Sequence, residues 1–257
     1  MPRCLAGLMV LGSLLPAALH ADALLRFVDN EGQQSEILVK GHYARMDIAN
    51  AGGSSGFMLF NAGDRSLYLV DQTNRSYTAF DERVIDAQMR AMEDMIMDLR
   101  AQIQQLPVES RAELEAQLGL GVDTGPVQVE TRRTGRTRQI GGLRCEDKEI
   151  LVGGHVQSVA CVTGSDDLGL SRLDFDTVNA LMGRLFELSR RALDAGGPMA
   201  QAMGSNVLPP LDGVPLEVQH IRDGVTTRLA GVSTDTLSAE FFRIPQNYRE
   251  QDAFRAP

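Results

Sequence analysis

Two cysteines flanking a glycine turn constrain this chain more than any other feature. Cys145 and Cys161 lie within the stretch Gly135 to Val162, which reads as strand, turn, strand, tight loop, strand. Leu143 to Val152 is rich in strand formers and runs into Gly153 and Gly154, which take up the positive backbone angles of a turn. Val156 to Val162 predicts the returning strand. Placing Cys145 directly opposite Cys161 centres the hairpin on Gly153 and predicts a three-residue loop, Val152 to Gly154. Facing residues hold their β-carbons roughly 4.5–5.5 Å apart, slightly wide for a disulfide, and the twist of a bulge would close the gap. Redox-active pairs have the short Cys-x-x-Cys spacing at a helix start. The wide spacing in a hairpin therefore reads as a structural disulfide.

The third cysteine, Cys4, sits at the N-terminus, where Arg3 precedes an apolar run ending in Ala18-Leu19-His20-Ala21. A basic start, an apolar stretch and a small-x-small ending predict a secretory signal peptide over residues 1–21. Gly12, Ser13 and Pro16 interrupt the run, which is shorter than the roughly 20 residues of a spanning helix. Cys4 precedes the run, so it is not placed to become an acylated first residue. The expectation is a periplasmic protein, with no transmembrane segment after signal cleavage and with Cys145 and Cys161 paired in an oxidising space. A formal charge of −9 with no Trp and only 5% aromatic residues argues against nucleic acid as a partner.

From Leu24 to Ala79 the pattern is that of a β-meander. Candidate strands are Leu24–Val28, Gln34–Lys40, His42–Ile48, Phe57–Asn61, Ser66–Asp71 and Arg75–Phe80, separated by Gly-, Asn- and Asp-rich turns. The period then changes. Ile85, Met89, Met92, Ile96, Leu99, Ile103 and Leu106 recur at alternating steps of four and three, predicting a helix over Glu82–Leu106 with Asp81 as N-cap and Pro107 as stop. Ser110-x-x-Glu113 is a capping-box pattern for a second short helix ending near Gly119. The apolar seam reads first as core. Its methionines make Met89, Met92, Ile96 and Leu99 candidates for an adaptable apolar ligand surface, and a dimer seam is a further alternative.

Val127 to Thr134 and Arg136 to Ile140 return to strand character. Arg132, Arg133, Arg136 and Arg138 gather there on an otherwise acidic chain. They read first as a charged strand edge that blocks aggregation, and alternatively as a contact for an acidic partner or lipid headgroup. A further amphipathic helix is predicted over Phe175–Asp194, ended by Gly196-Gly197-Pro198. Met199 to Pro210 reads as a loop and a candidate lid. Strands at Leu216–Arg222, Thr226–Ser233 and Ala239–Ile244 complete the pattern. The fold class is α+β: a curved antiparallel sheet, an open half-barrel, covered by two amphipathic helices. Residues 22–248 form one β-rich domain with helical insertions, and residues 249–257 a tail.

Catalytic signatures are few. His42, His155 and His220 lie on separate elements without metal-ligand spacing. Gly52-Gly53-Ser54-Ser55-Gly56 matches Gly-x-Ser-x-Gly, but the apolar strand Phe57-Met58-Leu59-Phe60 follows it where a nucleophile elbow needs a helix. No phosphate-cradling glycine loop and no separated pair of carboxylates stands out. The chain is read as a non-enzyme without a cofactor or metal.

Several short motifs carry a resemblance. Leu67-Tyr68-Leu69-Val70-Asp71 is followed by Arg75-Ser76-Tyr77. Gly135-x-x-Arg138-x-Ile140-x-Gly142-x-x-Cys145-Glu146, Gly213-Val214-Pro215-Leu216 and Phe242-x-x-Pro245-x-x-Tyr248 come later. On these the chain resembles a bacterial envelope family catalogued as a domain of unknown function. Its element order is also similar to the periplasmic lipoprotein-carrier half-barrel. That topology implies an apolar concavity holding acyl chains. The expectation is a binding or carrier module for an acyl or lipid-like ligand, the alternative being an envelope interaction or sensing protein that contacts a protein partner and binds no small ligand.

Overall fold

The computed structural model describes residues 22–49, 55–118, 128–202 and 211–251. The proposed signal peptide, the serine–glycine turn at Ser54 and the segment 203–210 lie outside these residues. Six strands come first: β1 (Ala23–Asp29), β2 (Gln34–Lys40), β3 (Tyr43–Ala49), β4 (Ser55–Asn61), β5 (Ser66–Asp71) and β6 (Ser76–Ala79). Helices α1 (Glu82–Gln104) and α2 (Val108–Leu118) follow, then β7 (Val129–Ile140), β8 (Leu143–Val152) and β9 (His155–Thr163). The chain continues with α3 (Ser165–Leu168), α4 (Arg172–Ala202), β10 (Val214–His220), β11 (Thr226–Ser233), a 3-10 turn at Ala239–Phe242 and β12 (Arg249–Glu250).

All twelve strands join one sheet in the order β12-β6-β5-β4-β3-β2-β1-β11-β10-β9-β8-β7. Every pairing is antiparallel except β12 with β6. The fold is thus α+β with a large, mostly antiparallel and unclosed sheet. The first meander is sewn to the later strands by β1 against β11, with Leu24 facing Ser233 and Asp29 facing Thr227. Asn30 extends the seam: its backbone N–H donates to Thr226 O at 3.0 Å and its side-chain Oδ1 accepts from Thr226 N at 3.0 Å.

β4 explains its own sequence. Phe60 joins the core cluster of Leu25, Ile37, Val39 and Ala44, while Phe57 and Leu59 pack with Val70 and with Ile244 and Tyr248 of the C-terminal segment. A strand covered on both sides reads as an unbroken apolar run rather than an alternation. The covering segment is not the strand expected at Ala239–Ile244. Ser238 caps a 3-10 turn there by accepting from Glu240 N. The chain then crosses to the β6 edge, where Arg249–Glu250 of the expected tail pair in parallel.

The helices also depart from expectation. Asp81 caps α1, its carboxylate accepting from Val84 N at 2.9 Å. α1 packs chiefly on α4 and α2, whereas α4 packs on β2, β3 and β10. Its Met92 and Leu99 gather with buried Ile96 and Ile103 and with Leu114 of α2. α2 starts at Val108, so Ser110 lies within the first turn and its capping-box pattern does not set the start. The helix backbone of α4 continues through Gly196-Gly197-Pro198 to Ala202. Those stop signals are propensities, which are weak priors for a long helix.

The cysteine hairpin forms with a shifted register. Gly153 and Gly154, both at positive φ (58° and 80°), make a two-residue turn with Val152 facing His155. This is the primed geometry that suits strand twist. A bulge then changes the pairing between Ile150 and Leu151, so Asp147 faces Cys161 and Cys145 lies diagonal to it. Strand twist brings that diagonal close. The Cα atoms are 5.3 Å apart and the sulfurs are bonded at 2.07 Å. With a separation of 16 residues, closing this loop is worth about 3 kcal/mol in the chain-entropy account. The Cys145→Ala/Cys161→Ala double variant is expected to lose roughly that much in urea unfolding. An unchanged midpoint and slope would show that the staple contributes nothing to stability.

Candidate functional site

α4 is fixed to the sheet at its N-terminal half. Ser171 Oγ accepts from Asp174 N at 3.1 Å and donates to the Asp174 carboxylate. Asp174 Oδ1 accepts from Gly41 N at 3.1 Å, and Thr177 Oγ1 donates to Gly41 O at 2.7 Å. The β2–β3 turn is thereby hung on the helix start. One turn further along, Asn179 Oδ1 accepts from Gly213 N at 3.0 Å. Gly213 has φ 158°, and a β-carbon there would lie 2.5 Å from Thr163 O, so β10 enters beneath the helix only with glycine at this position.

Beyond these anchors a cleft of about 420 Å³ remains between α4 and the sheet. Phe27, Ile37, Met46 and Met58 line its floor, and Met182 and Leu185 its roof. Its volume lies within the roughly 300–1,000 Å³ of small-molecule sites, and its lining is mostly apolar as theirs is. Ser35, Ser189, His220 and Thr227 are the polar lining residues. Another cleft, of about 550 Å³, lies at the β2–β3 turn, where Asp22 and Lys40 pair at 2.5 Å and Asp22 also accepts from Leu237 N. Asp22 and Lys40 there are thus engaged with one another. Among the described residues no group of His, Cys, Asp and Glu could hold a metal ion.

The apolar ligand residues expected from sequence lie elsewhere. Met92, Ile96 and Leu99 are in the helix–helix cluster, Met89 is half-buried on the same helix, and none of the four lines the cleft. The adaptable methionines at the cleft are Met46, Met58 and Met182 instead. The period of α4 was legible in the sequence. Which of two amphipathic helices lies on the sheet is a long-range choice, and the Ser171-x-x-Asp174 cap was the local signal for it.

Three of the four arginines in β7 are engaged within the chain. Arg132 pairs with Glu149 at 2.5 Å. Arg136 approaches Asp147 at 3.6 Å, and Arg138 bridges Asp147 at 2.8 Å and Glu217 at 2.9 Å. Arg228 of β11 completes the row on Glu217 at 2.6 Å. Arg133 is exposed and faces Lys148 in the register. Asp147, Cys161, Glu217 and Arg228 are successive partners across four strands, so ion pairs and disulfide share one face. Sequence reasoning missed Asp147, Glu217 and Arg228. Glu217 carried the one local signal, a charge in the middle of an apolar strand, whereas Asp147 lies within the charged run Glu146–Glu149.

No protein-family model matches the chain, and no curated protein sequence is similar to it. The solved structure of PNGF-II is similar to it with a TM-score of 0.43 and 11% sequence identity, over 90% of this chain and 31% of that one. Among the described residues no helix is long and apolar enough to cross a membrane.

The ion row makes a pH prediction. Burial pushes the Glu217 carboxyl up, and hydrogen bonds from Arg228 and Arg138 outweigh it, so the group titrates below the usual glutamate range. A carboxylate lowered on folding stabilises the fold above its unfolded pKa of about 4.3 and loses that contribution as pH falls through its folded value. The Glu217→Gln variant should be less stable than wild type at neutral pH and should lose less stability between neutrality and low pH. Parallel stability–pH curves for the two proteins would contradict this.

Proposed function

We propose that the protein is a periplasmic binding or carrier module that holds an apolar, acyl- or lipid-like ligand between α4 and the sheet. The apolar cleft carries this reading. Apolar surface left open beside a well-anchored helix is free energy available to a ligand, at about 25 cal/mol per Å² removed from water. In this reading the sheet acts as an open, curved half-barrel and α4 as its cover, with α1 and α2 buttressing α4 from outside. The signal-peptide pattern over residues 1–21 and the Cys145–Cys161 bond both suit an oxidising space. The resemblances to a bacterial envelope family and to the lipoprotein-carrier topology point the same way. Binding, rather than catalysis, is the proposed activity.

An envelope interaction role through the β7 arginines is the weaker alternative. Arg132, Arg136 and Arg138 are held by Glu149, Asp147 and Glu217, which leaves less of their charge for a partner.

Leu185→Trp tests the cleft by filling it from the helix side, at a half-buried position of the lining. A pyrene-labelled acyl ester should bind the wild type, and the variant should bind it at least ten-fold more weakly, a loss of about 1.4 kcal/mol or more. Equal binding by a folded variant would place the ligand elsewhere, and no binding by either protein would defeat the carrier reading.

A further inference from the structure

The cleft differs from end to end. Ile37, Val178 and Val214 form its deep end, at 6%, 1% and 1% exposure. At the other end lie Ser35, which is exposed, and His220, Thr227 and Ser189, which are half-buried. Ser35, Thr227 and His220 sit close to the β1–β2 and β10–β11 turns, since Phe27 faces both Ser35 and Leu229 and Val218 faces Thr227. From Val178 to Ser189 the helix above rises about 16 Å, at roughly 1.5 Å per residue. Among the described residues the side chains of Ser35, Ser189, His220 and Thr227 have no hydrogen-bond partner in the protein, so their donors and acceptors are free for water or a ligand.

The same lining is uncharged. Among the described residues no Lys, Arg, Asp or Glu lines the cleft. The nearest guanidinium in the register, Arg228, adjoins Thr227 but is committed to Glu217 with the opposite row of side chains. An anionic head seated at this end gains no cation from the lining, so whatever water it gives up there is uncompensated. Hydroxyls and an imidazole, by contrast, can hydrogen-bond an uncharged polyol or ester.

Resting on the binding reading above, we infer that the ligand is a single-chain amphiphile with an uncharged head. Its chain end lies under Val178 and Val214, and its head meets Ser35, His220, Thr227 and Ser189. A monoacylglycerol is the simplest molecule of this class.

The test is displacement of the pyrene-labelled acyl ester from the delipidated protein at neutral pH. The competitors are a monoacylglycerol, the free fatty acid of the same chain and the lysophosphatidylglycerol of the same chain. The monoacylglycerol is expected to displace the probe at a roughly ten-fold lower concentration than either anion, equivalent to about 1.4 kcal/mol. Equal or better displacement by either anion overturns the head assignment and leaves the carrier reading standing. Failure of the probe to bind overturns both. His220→Leu keeps an apolar side chain at the strand end. It should weaken the monoacylglycerol roughly two- to ten-fold, as the loss of one hydrogen bond does. Unchanged monoacylglycerol affinity in that variant overturns the placement of the head.

Discussion

The pairing of β1 with β11 is the contact on which the rest of the structure depends. It joins strands from opposite ends of the chain and turns two meanders into one sheet. Without it the first six strands and the last strands would each need a separate core. Pairing at such separation is costly in chain entropy and rewards the chain only once both halves are formed. The Asn30 bonds to Thr226 and Gly224 fix its far end, close to the polar end of the cleft. The floor of the cleft, from Phe27 on β1 across to Val218 on β10, spans this seam.

Where the sheet needs cover, one helix supplies it. α4 is held at its start by Gly41 and Gly213, whose backbone groups bond to Asp174, Thr177 and Asn179. Ion pairs from Arg184 and Arg191 to Glu82 join it to α1. Arg65 reaches Glu187 from the β4–β5 turn. These polar contacts tie the helix to the sheet and to α1, while Val178 and Leu181 are buried in its first half and Leu193 in its second. The cleft lies between, under Met182, Leu185 and Leu188. Toward the β7 edge the disulfide, whose cysteines belong to the same core cluster, and the arginine–carboxylate row cross-link strands β7 to β11.

The sequence was most informative where local pattern and turn chemistry agreed. Gln34–Lys40, Ser66–Asp71, Leu143–Val152 and Thr226–Ser233 have the bounds their alternation and flanking turns predict. Three features were not legible for three different reasons. The two-residue turn takes the cysteines off direct opposition and the bulge at Ile150–Leu151 then sets them on a diagonal, and no residue there announces the bulge. Ala239–Phe242 has strand-like composition, yet Ser238 supplies a local cap and Phe241 makes a cation–π contact with Arg45 at 5.8 Å. The apolar cleft lies under α4 and not α1, although both helices show the same apolar period. The hydrogen bonds of Ser171, Asp174, Thr177 and Asn179 and the packing of Val178 and Leu181 hold α4 on the sheet.

The central claim is that the space under α4 holds a ligand. Native mass spectrometry of the protein purified from its expressing cells without detergent, beside a lipid extraction of the same sample, tests it most directly. A bound small-molecule mass matched to a single-chain lipid, absent from Leu185→Trp, is the predicted result. A clean protein mass in both samples, reduced only by the two hydrogens of the Cys145–Cys161 bond, would contradict it.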